Sequence, residues 1–203
     1  MELLLHGPGD APAVLLLGHS AGAPMDSPWM NAICDLLAGH RMRTARFEFP
    51  YMTARRGGVR RPPPKAELSV DEYRSAVSAV RDAVGPDATL LIGGKSYGGR
   101  VASLLADELH DAGVVAGLVC LGYPFHPPER PAQLRTAHLI GLRCPALICQ
   151  GERDPFGGVD EVPALGLSSA IRMRWFPGAH DVQPRTRLAP VADAVAGFAR
   201  TLT

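Results

Sequence analysis

Short apolar runs alternate with longer stretches of mixed polarity along this chain. Several runs are apolar throughout, such as Ala-Val-Leu-Leu-Leu at 13–17, instead of alternating apolar with polar residues. Continuous runs of this kind are typical of central parallel strands, which helices cover on both faces. We predict strands at 2–6, 13–18, 43–49, 88–93, 115–121, 145–150 and 171–176.

The stretches between these runs have helical spacing. From 70 to 84, apolar residues recur every three or four positions, which places them on one face of a helix. Ser69 followed by Glu72 has the pattern of a capping box and predicts that this helix begins at residue 70. We predict helices near 28–39, 70–84, 98–112, 158–168 and 186–202.

Strands that alternate with helices predict an α/β fold, a three-layer αβα sandwich around a mostly parallel sheet of about six to seven strands. The 203 residues contain no internal repeat and no shift in composition that marks a boundary, so we expect one domain spanning 1–203. The net charge of +1 gives no reason to expect a nucleic acid partner.

The chain has no sequence feature that predicts membrane insertion or export. No apolar run is long enough to cross a bilayer, and residues 1–7 lack the basic and long apolar regions of a signal peptide. The cysteines Cys34, Cys120, Cys144 and Cys149 form no Cys-x-x-Cys pair. We therefore expect a cytoplasmic protein with reduced structural thiols, no metal site and no membrane partner.

One segment, 51–65, is basic and irregular. It reads YMTARRGGVRRPPPK, and its three successive prolines exclude a helix or a central strand there. We predict a surface loop that borders the ligand crevice at the carboxyl ends of the strands. Its basic residues form either a cationic rim for an anionic substrate or a solvated surface paired with nearby acids; they are Arg55, Arg56, Arg60, Arg61 and Lys65.

The candidate chemistry begins at residues 94–98, Gly-Lys-Ser-Tyr-Gly, which lie between a predicted strand and a predicted helix. This order is that of the nucleophile elbow of serine hydrolases. The glycines remove Cβ clashes from a turn too sharp for ordinary side chains, and the helix N-terminus favours negative charge beside the serine. Ser96 is therefore the predicted nucleophile.

A serine nucleophile needs a histidine to accept its proton and an acid to orient that histidine. Asp154 and His180 follow the sixth and seventh predicted strands, in the chain order Ser, Asp, His of elbow-type hydrolases. Parallel strands bring these loops to one edge of the sheet, so we predict Asp154 as the acid and His180 as the base. Glu152, nearer the strand, and Asp160, in or beside a predicted helix, are the weaker alternatives for the acid.

A second Gly-x-Ser-x-Gly lies at residues 18–22 and contains Ser20. No helix begins directly after it, because Pro24 and other loop-forming residues follow, so Ser20 is the weaker candidate for the nucleophile. An early loop after a strand has another use, since it supplies one of the two backbone donors of an oxyanion hole. We predict that the N–H groups of Ala21 and Tyr97 form this hole.

Five segments of the chain resemble the α/β-hydrolase superfamily, and in particular the small hydrolases related to dienelactone hydrolase. Within these, the chain is similar to a subfamily of stand-alone bacterial proteins that also includes the hydrolase-like domain of a histone-acetyltransferase-complex subunit and a testis-expressed protein. The resemblance implies the α/β-hydrolase fold with a minimal lid, the triad and oxyanion donors given above, and no cofactor. Such loops usually carry Gly where this chain has Ser20. The segments are 19–30, 46–52, 93–100, 122–128 and 150–157.

Together these features predict a serine hydrolase, of carboxylesterase type, that acts through an acyl-enzyme. The expected partner is a small ester-like molecule, anionic if the basic segment forms a rim. Ser20, Tyr51 and His126 are candidate substrate-side residues, and His126 has a structural role as its alternative. Two other functions stay open: an acyltransferase that uses the same triad, and a non-catalytic binding or scaffold protein that keeps only the fold.

Overall fold

The computed structural model describes residues 1–182 and 187–203. It contains all seven predicted strands, with ends that differ from the predicted ones by a few residues. They are β1 (Leu4–His6), β2 (Ala13–Gly18), β3 (Arg43–Phe47), β4 (Thr89–Lys95), β5 (Gly117–Leu121), β6 (Ala146–Gly151) and β7 (Ile171–Phe176).

The strands form one sheet in the order β1-β3-β2-β4-β5-β6-β7. Neighbouring strands are parallel, apart from β1 and β3, which pair antiparallel at one edge. The chain crosses from β3 over β2 to reach β4, so the strand order reverses at β2. In open α/β sheets the ligand crevice lies outside the carboxyl ends of the strands at such a reversal.

Helices cover both faces of the sheet. The helix α1 packs against α6 on one face, and α3 packs against α4 on the other. The predicted start of the last helix, residue 186, lies outside the described residues, and the helix is described from Leu188 onward. The helices are α1 (Pro28–Gly39), α2 (Pro50–Arg56), α3 (Val70–Val84), α4 (Tyr97–Asp111), α5 (Ala137–Ile140) and α6 (Leu188–Ala199).

The continuous apolar runs are strands buried on both faces, as predicted. Along β2, Leu15 and Leu17 pack with α1 and α6, whereas Leu16 packs into the core on the α3 and α4 face. All three leucines have no exposed surface. Burying one leucine side chain contributes about 1.5–3 kcal/mol to the stability of the fold. The burial on both faces keeps rigid the strands whose carboxyl ends carry the candidate site.

The prediction of a loop from residue 51 is wrong for its first part, which is the helix α2. Pro50 occupies the first turn, where its fixed φ and missing N–H suit a helix, and Tyr51 and Met52 are buried beneath it. Residues 57–65 contain the three prolines and have no helix or strand. Tertiary burial of one short helical face therefore prevailed over the loop-like composition.

The predicted helix at 158–168 is also wrong. Only a 3₁₀ turn, Val162–Leu165, forms there. Pro163 lacks the N–H that would continue an α-helix, and Gly166 adopts a left-handed conformation at φ 63° that ends the turn. Among the described residues no lid-like domain covers the carboxyl ends of the strands, since the β5–β6 connection carries only the four-residue helix α5.

Candidate active site

Ser96 lies on the sharp turn between β4 and α4. Its backbone has φ 52° and ψ −109°, a conformation that non-glycine residues rarely adopt. Strain of this kind costs about 1–3 kcal/mol and persists only where surrounding contacts enforce it. The Ser96 N–H donates to the Leu121 carbonyl at 3.0 Å, and the Arg100 N–H donates to the Ser96 carbonyl at 3.0 Å.

Two glycines of the elbow permit its close approach to β2. A Cβ on Gly98 would stand 2.3 Å from the Gly18 carbonyl oxygen, and one on Gly94 would stand 2.5 Å from the same atom. The Gly98 N–H donates to the His19 carbonyl at 3.1 Å. The elbow and the loop that follows β2 are thus one packed unit, which explains why these positions need glycine.

Asp154 and His180 form the hydrogen bond that the chain order predicts, with His180 Nδ1 2.7 Å from Asp154 Oδ2. The Asp154 side chain is 0% exposed, and its other contacts fix its plane. Gln150 Nε2 donates to Oδ2 at 2.8 Å and the Phe156 N–H donates to Oδ1 at 2.9 Å. Of the alternatives, Asp160 is exposed.

The remaining nitrogen of His180, Nε2, is buried and has no hydrogen-bond partner among the described residues. Since Nδ1 faces a carboxylate, it carries the proton, and Nε2 presents a lone pair. The Phe156 ring packs against the imidazole with 4.4 Å between centroids. The end of β5 contacts both parts of the site: the Leu121 carbonyl accepts from the Ser96 N–H, and a Cβ on the next residue, Gly122, would lie 3.3 Å from His180 Cε1.

A buried histidine organises the loop that contains Ala21. His19 Nδ1 lies 2.7 Å from the Ser20 carbonyl, and the Phe49 N–H donates to His19 Nε2 at 3.1 Å. Burial lowers the pKa of His19, which agrees with a neutral ring that donates from Nδ1 and accepts at Nε2. The Tyr51 hydroxyl donates to the Ala21 carbonyl at 3.2 Å, so the loop is held from two sides.

Tyr97 begins α4 and its N–H therefore has no helical acceptor. Its side chain is anchored away from the turn, because the hydroxyl donates to Ser69 Oγ at 2.9 Å. Ser69 makes no capping bond to α3, so the predicted capping box is wrong, although the helix does begin at Val70. The Tyr97 N–H has no acceptor among the described residues, and the loop at Ala21 is held in place by His19 and Tyr51. These are the two elements on which the oxyanion hole is predicted.

The three candidate substrate-side residues have different surroundings. Ser20 Oγ accepts from the Ala23 N–H at 3.2 Å, within its own loop. Tyr51 braces that loop and also lines a cavity of about 270 Å³. The ring nitrogens of His126 lie 2.9 Å from the Pro127 carbonyl and 2.9 Å from Glu161, contacts that favour the structural role for this residue.

The basic segment is partly neutralised. Arg56 binds Glu48 and Asp26, which agrees with the surface-pairing interpretation for this residue. Arg60 and Arg61 are exposed in the loop beyond α2.

Sequence reasoning missed two residues that support the site. Gln150 orients Asp154 and also donates to the Tyr123 and Gly157 carbonyls at 3.0 and 3.1 Å. A lone amide that ends an otherwise apolar strand, four positions before the acid, was an available signal. His19 offered a weaker signal, because nothing local distinguishes a brace from a surface histidine.

Comparison with known proteins agrees with this architecture. A family model described as an alpha/beta hydrolase domain matches residues 11–196. An alpha-beta serine hydrolase homologue from Coxiella burnetii matches with a TM-score of 0.74 and 17% identity, over 99% of this chain and 91% of its own. A dienelactone hydrolase from Anabaena variabilis matches with a TM-score of 0.70 and 18% identity, over 98% of this chain and 91% of its own. A serine hydrolase without a lid from Xanthomonas campestris matches with a TM-score of 0.69 and 18% identity, over 98% of this chain and 88% of its own.

Proposed function

The chain belongs to the alpha/beta hydrolase family, and we propose that it is a serine hydrolase that cleaves small carboxylic esters through an acyl-enzyme on Ser96. One observation carries the proposal: the bond from His180 to Asp154 leaves a buried Nε2 lone pair with no described partner. A general base needs that arrangement, because the lone pair must be free to accept the serine proton.

The reaction follows from these groups. Ser96 Oγ attacks the ester carbonyl carbon while His180 Nε2 takes the hydroxyl proton, and Asp154 stabilises the imidazolium that forms. The carbonyl oxygen becomes an oxyanion that accepts from the N–H groups of Ala21 and Tyr97. The tetrahedral intermediate then expels the alcohol, which takes its proton from Nε2. Water, deprotonated by the same nitrogen, attacks the acyl carbon, and the second tetrahedral intermediate releases the acid as Ser96 Oγ takes the proton back from Nε2.

The short connections above the sheet favour small or exposed acyl groups. A long acyl chain needs an apolar tunnel or lid to leave water, and α5 has only four residues. The exposed Arg60 and Arg61 favour an anionic substrate over a neutral one of equal size. Likeness to a dienelactone hydrolase, whose name implies a lactone substrate, supports an ester bond as the target.

Hydrolysis of a p-nitrophenyl ester series, from acetate to palmitate, tests the proposal. The chain offers a matched control, since Ser20 lies in the other Gly-x-Ser-x-Gly. We expect turnover that is highest on short esters, lost in Ser96→Ala, and retained within about tenfold in Ser20→Ala. Turnover that persists in Ser96→Ala, or that is confined to palmitate, would contradict it. Folded protein without any turnover would favour the scaffold alternative.

A further inference from the structure

A buried lysine lies directly before the candidate nucleophile. Lys95 is the last residue of β4, and its side chain is 5% exposed. Its Nζ donates to the His180 carbonyl at 2.9 Å and lies 3.1 Å from Asp181 Oδ1. Burial lowers the pKa of Lys95, while the Asp181 carboxylate opposes that shift. An ammonium at this depth is costly unless it is paired, so these two contacts account for its presence.

The residues around Lys95 contact the same two positions, 180 and 181, of the loop that follows β7. We call this loop, residues 177–182, the histidine loop. Trp29, on α1, donates from Nε1 to the Asp181 carbonyl at 2.7 Å. Lys95 Nζ also lies 5.5 Å from the centroid of the Trp29 ring, within cation–π range. A Cβ on Gly122 would stand 2.8 Å from the His180 carbonyl oxygen and 3.0 Å from Lys95 Nζ, so glycine at this position leaves room for the bond between them.

The histidine loop needs an external support. Between β7 and Val182 it has no helix or strand, and Val182 itself has a positive φ of 47°. Asp154 holds one nitrogen of the imidazole and Phe156 packs against the ring, but neither contact fixes the backbone that carries it. The place of Nε2 relative to Ser96 therefore depends on where the His180 backbone lies. Lys95 fixes that backbone from the residue adjacent to the nucleophile.

We propose that Lys95 is a positioning residue, whose ammonium joins the strand carrying Ser96 to the loop carrying His180 and so sets the place of the base relative to the nucleophile. This inference rests on the proposed hydrolase function. It predicts a loss in the chemical step with little loss in substrate binding, since Lys95 Nζ bonds to protein atoms. A misplacement of about 1 Å can cost on the order of 10²-fold in rate.

The test replaces Lys95 with methionine, which keeps the length of the side chain and removes its charge. Arg81→Met is the matched control, because Arg81 is also a partly buried cation that donates to backbone carbonyls, those of Ala88 at 2.8 Å and of Val114. These carbonyls lie just before the amino ends of β4 and β5, whereas the candidate site lies at the carboxyl ends of the strands. Both variants therefore lose bonds from a cation to backbone carbonyls, and only Lys95→Met loses a bond to the histidine loop.

On the best p-nitrophenyl ester, we expect Lys95→Met to lower kcat by about 10²-fold and to change KM less than about threefold. Arg81→Met should retain kcat within about threefold at a temperature where both variants are folded. If Lys95→Met does not fold, Trp29→Phe removes the bond to the Asp181 carbonyl and should lower kcat about tenfold. Equal kcat values in wild type and Lys95→Met, or an equal loss in Arg81→Met, would overturn the inference.

A second readout separates this inference from the proposed function. A proton shared between His180 Nδ1 and a buried carboxylate gives a far-downfield proton NMR signal when its exchange with water is slow. We expect the signal in wild type and Arg81→Met, and its broadening or loss in Lys95→Met, because a released loop exposes the bond to exchange. This comparison shows whether Lys95 holds the histidine loop in place even if wild type hydrolyses no ester. A signal that is unchanged in Lys95→Met refutes it.

Discussion

Replacement of Asp154 with asparagine changes one acceptor at the centre of the candidate triad and nothing else in its shape. Oδ2 accepts from His180 Nδ1 at 2.7 Å and from Gln150 Nε2 at 2.8 Å, and Oδ1 accepts from the Phe156 N–H at 2.9 Å. An amide has one oxygen and one NH₂ group. In either orientation, the NH₂ group therefore faces at least one N–H donor.

The two orientations have different consequences for the base. With the amide NH₂ toward His180, the imidazole must adopt the tautomer in which Nδ1 accepts a hydrogen bond. Nε2 then carries the proton and cannot act as the base. With the NH₂ toward Phe156, a buried backbone N–H loses its acceptor, which costs about 1–3 kcal/mol of stability. In both cases the carboxylate charge that stabilises the imidazolium is gone.

We expect Asp154→Asn to lower kcat by on the order of 10⁴-fold, as the wrong tautomer does in Ser-His-Asp enzymes, which corresponds to about 5 kcal/mol in the barrier. The assay is kcat on p-nitrophenyl acetate, with thermal unfolding measured on the same samples. Asp160→Asn is the control, because Asp160 is an exposed carboxylate on the same connection, and it should retain wild-type kcat. A folded Asp154→Asn protein within about tenfold of wild type would refute the assigned role.

Three further predictions concern stability and specificity. Burial lowers the pKa of His19 below its ordinary 6.5, so below about pH 6.5 the unfolded chain binds a proton that the folded chain does not bind. The free energy of unfolding should therefore fall from pH 7 to pH 5. It should fall less steeply in His19→Gln. Gly98→Ala would place a Cβ 2.3 Å from the backbone of β2, and it should abolish cooperative thermal unfolding or esterase activity. The control is Gly39→Ala, which has open space around it and should leave the midpoint of thermal unfolding unchanged or raised. Arg60→Gln with Arg61→Gln should lower kcat/KM for an anionic ester at least about threefold more than for its neutral analogue, and an unchanged ratio would remove these residues from the site.

The order of elements and the elbow could be predicted from the sequence because their signals are local. Continuous apolar runs indicate strands covered on both faces, and the glycines around Ser96 follow from the steric demand of one turn. Asp154 and His180 could be placed at one edge because parallel strands bring successive loops there. The bond between them, 2.7 Å long, then follows from the topology and not from any motif.

The remaining features depend on contacts between distant segments. The capping pattern at Ser69 is a local rule, but its hydroxyl binds Tyr97 from another helix. The loop-like composition after Pro50 gave no sign that Tyr51 would be buried against the loop that contains Ala21. Lys95 is read from sequence as a variable position of the elbow, and only the fold shows that its ammonium reaches the His180 carbonyl. Partners of this kind have no fixed spacing in the chain.

The most direct test of the central claim is to map the covalent adduct of a fluorophosphonate probe by peptide mass spectrometry. The probe reacts with a serine hydroxyl only when a base and an oxyanion hole activate it. We predict one modified residue, Ser96, in the wild-type protein, and slowed modification when His180 is replaced by alanine. Modification of Ser20 instead, or none on the folded wild-type protein, would contradict the claim that Ser96, Asp154 and His180 act as one catalytic unit.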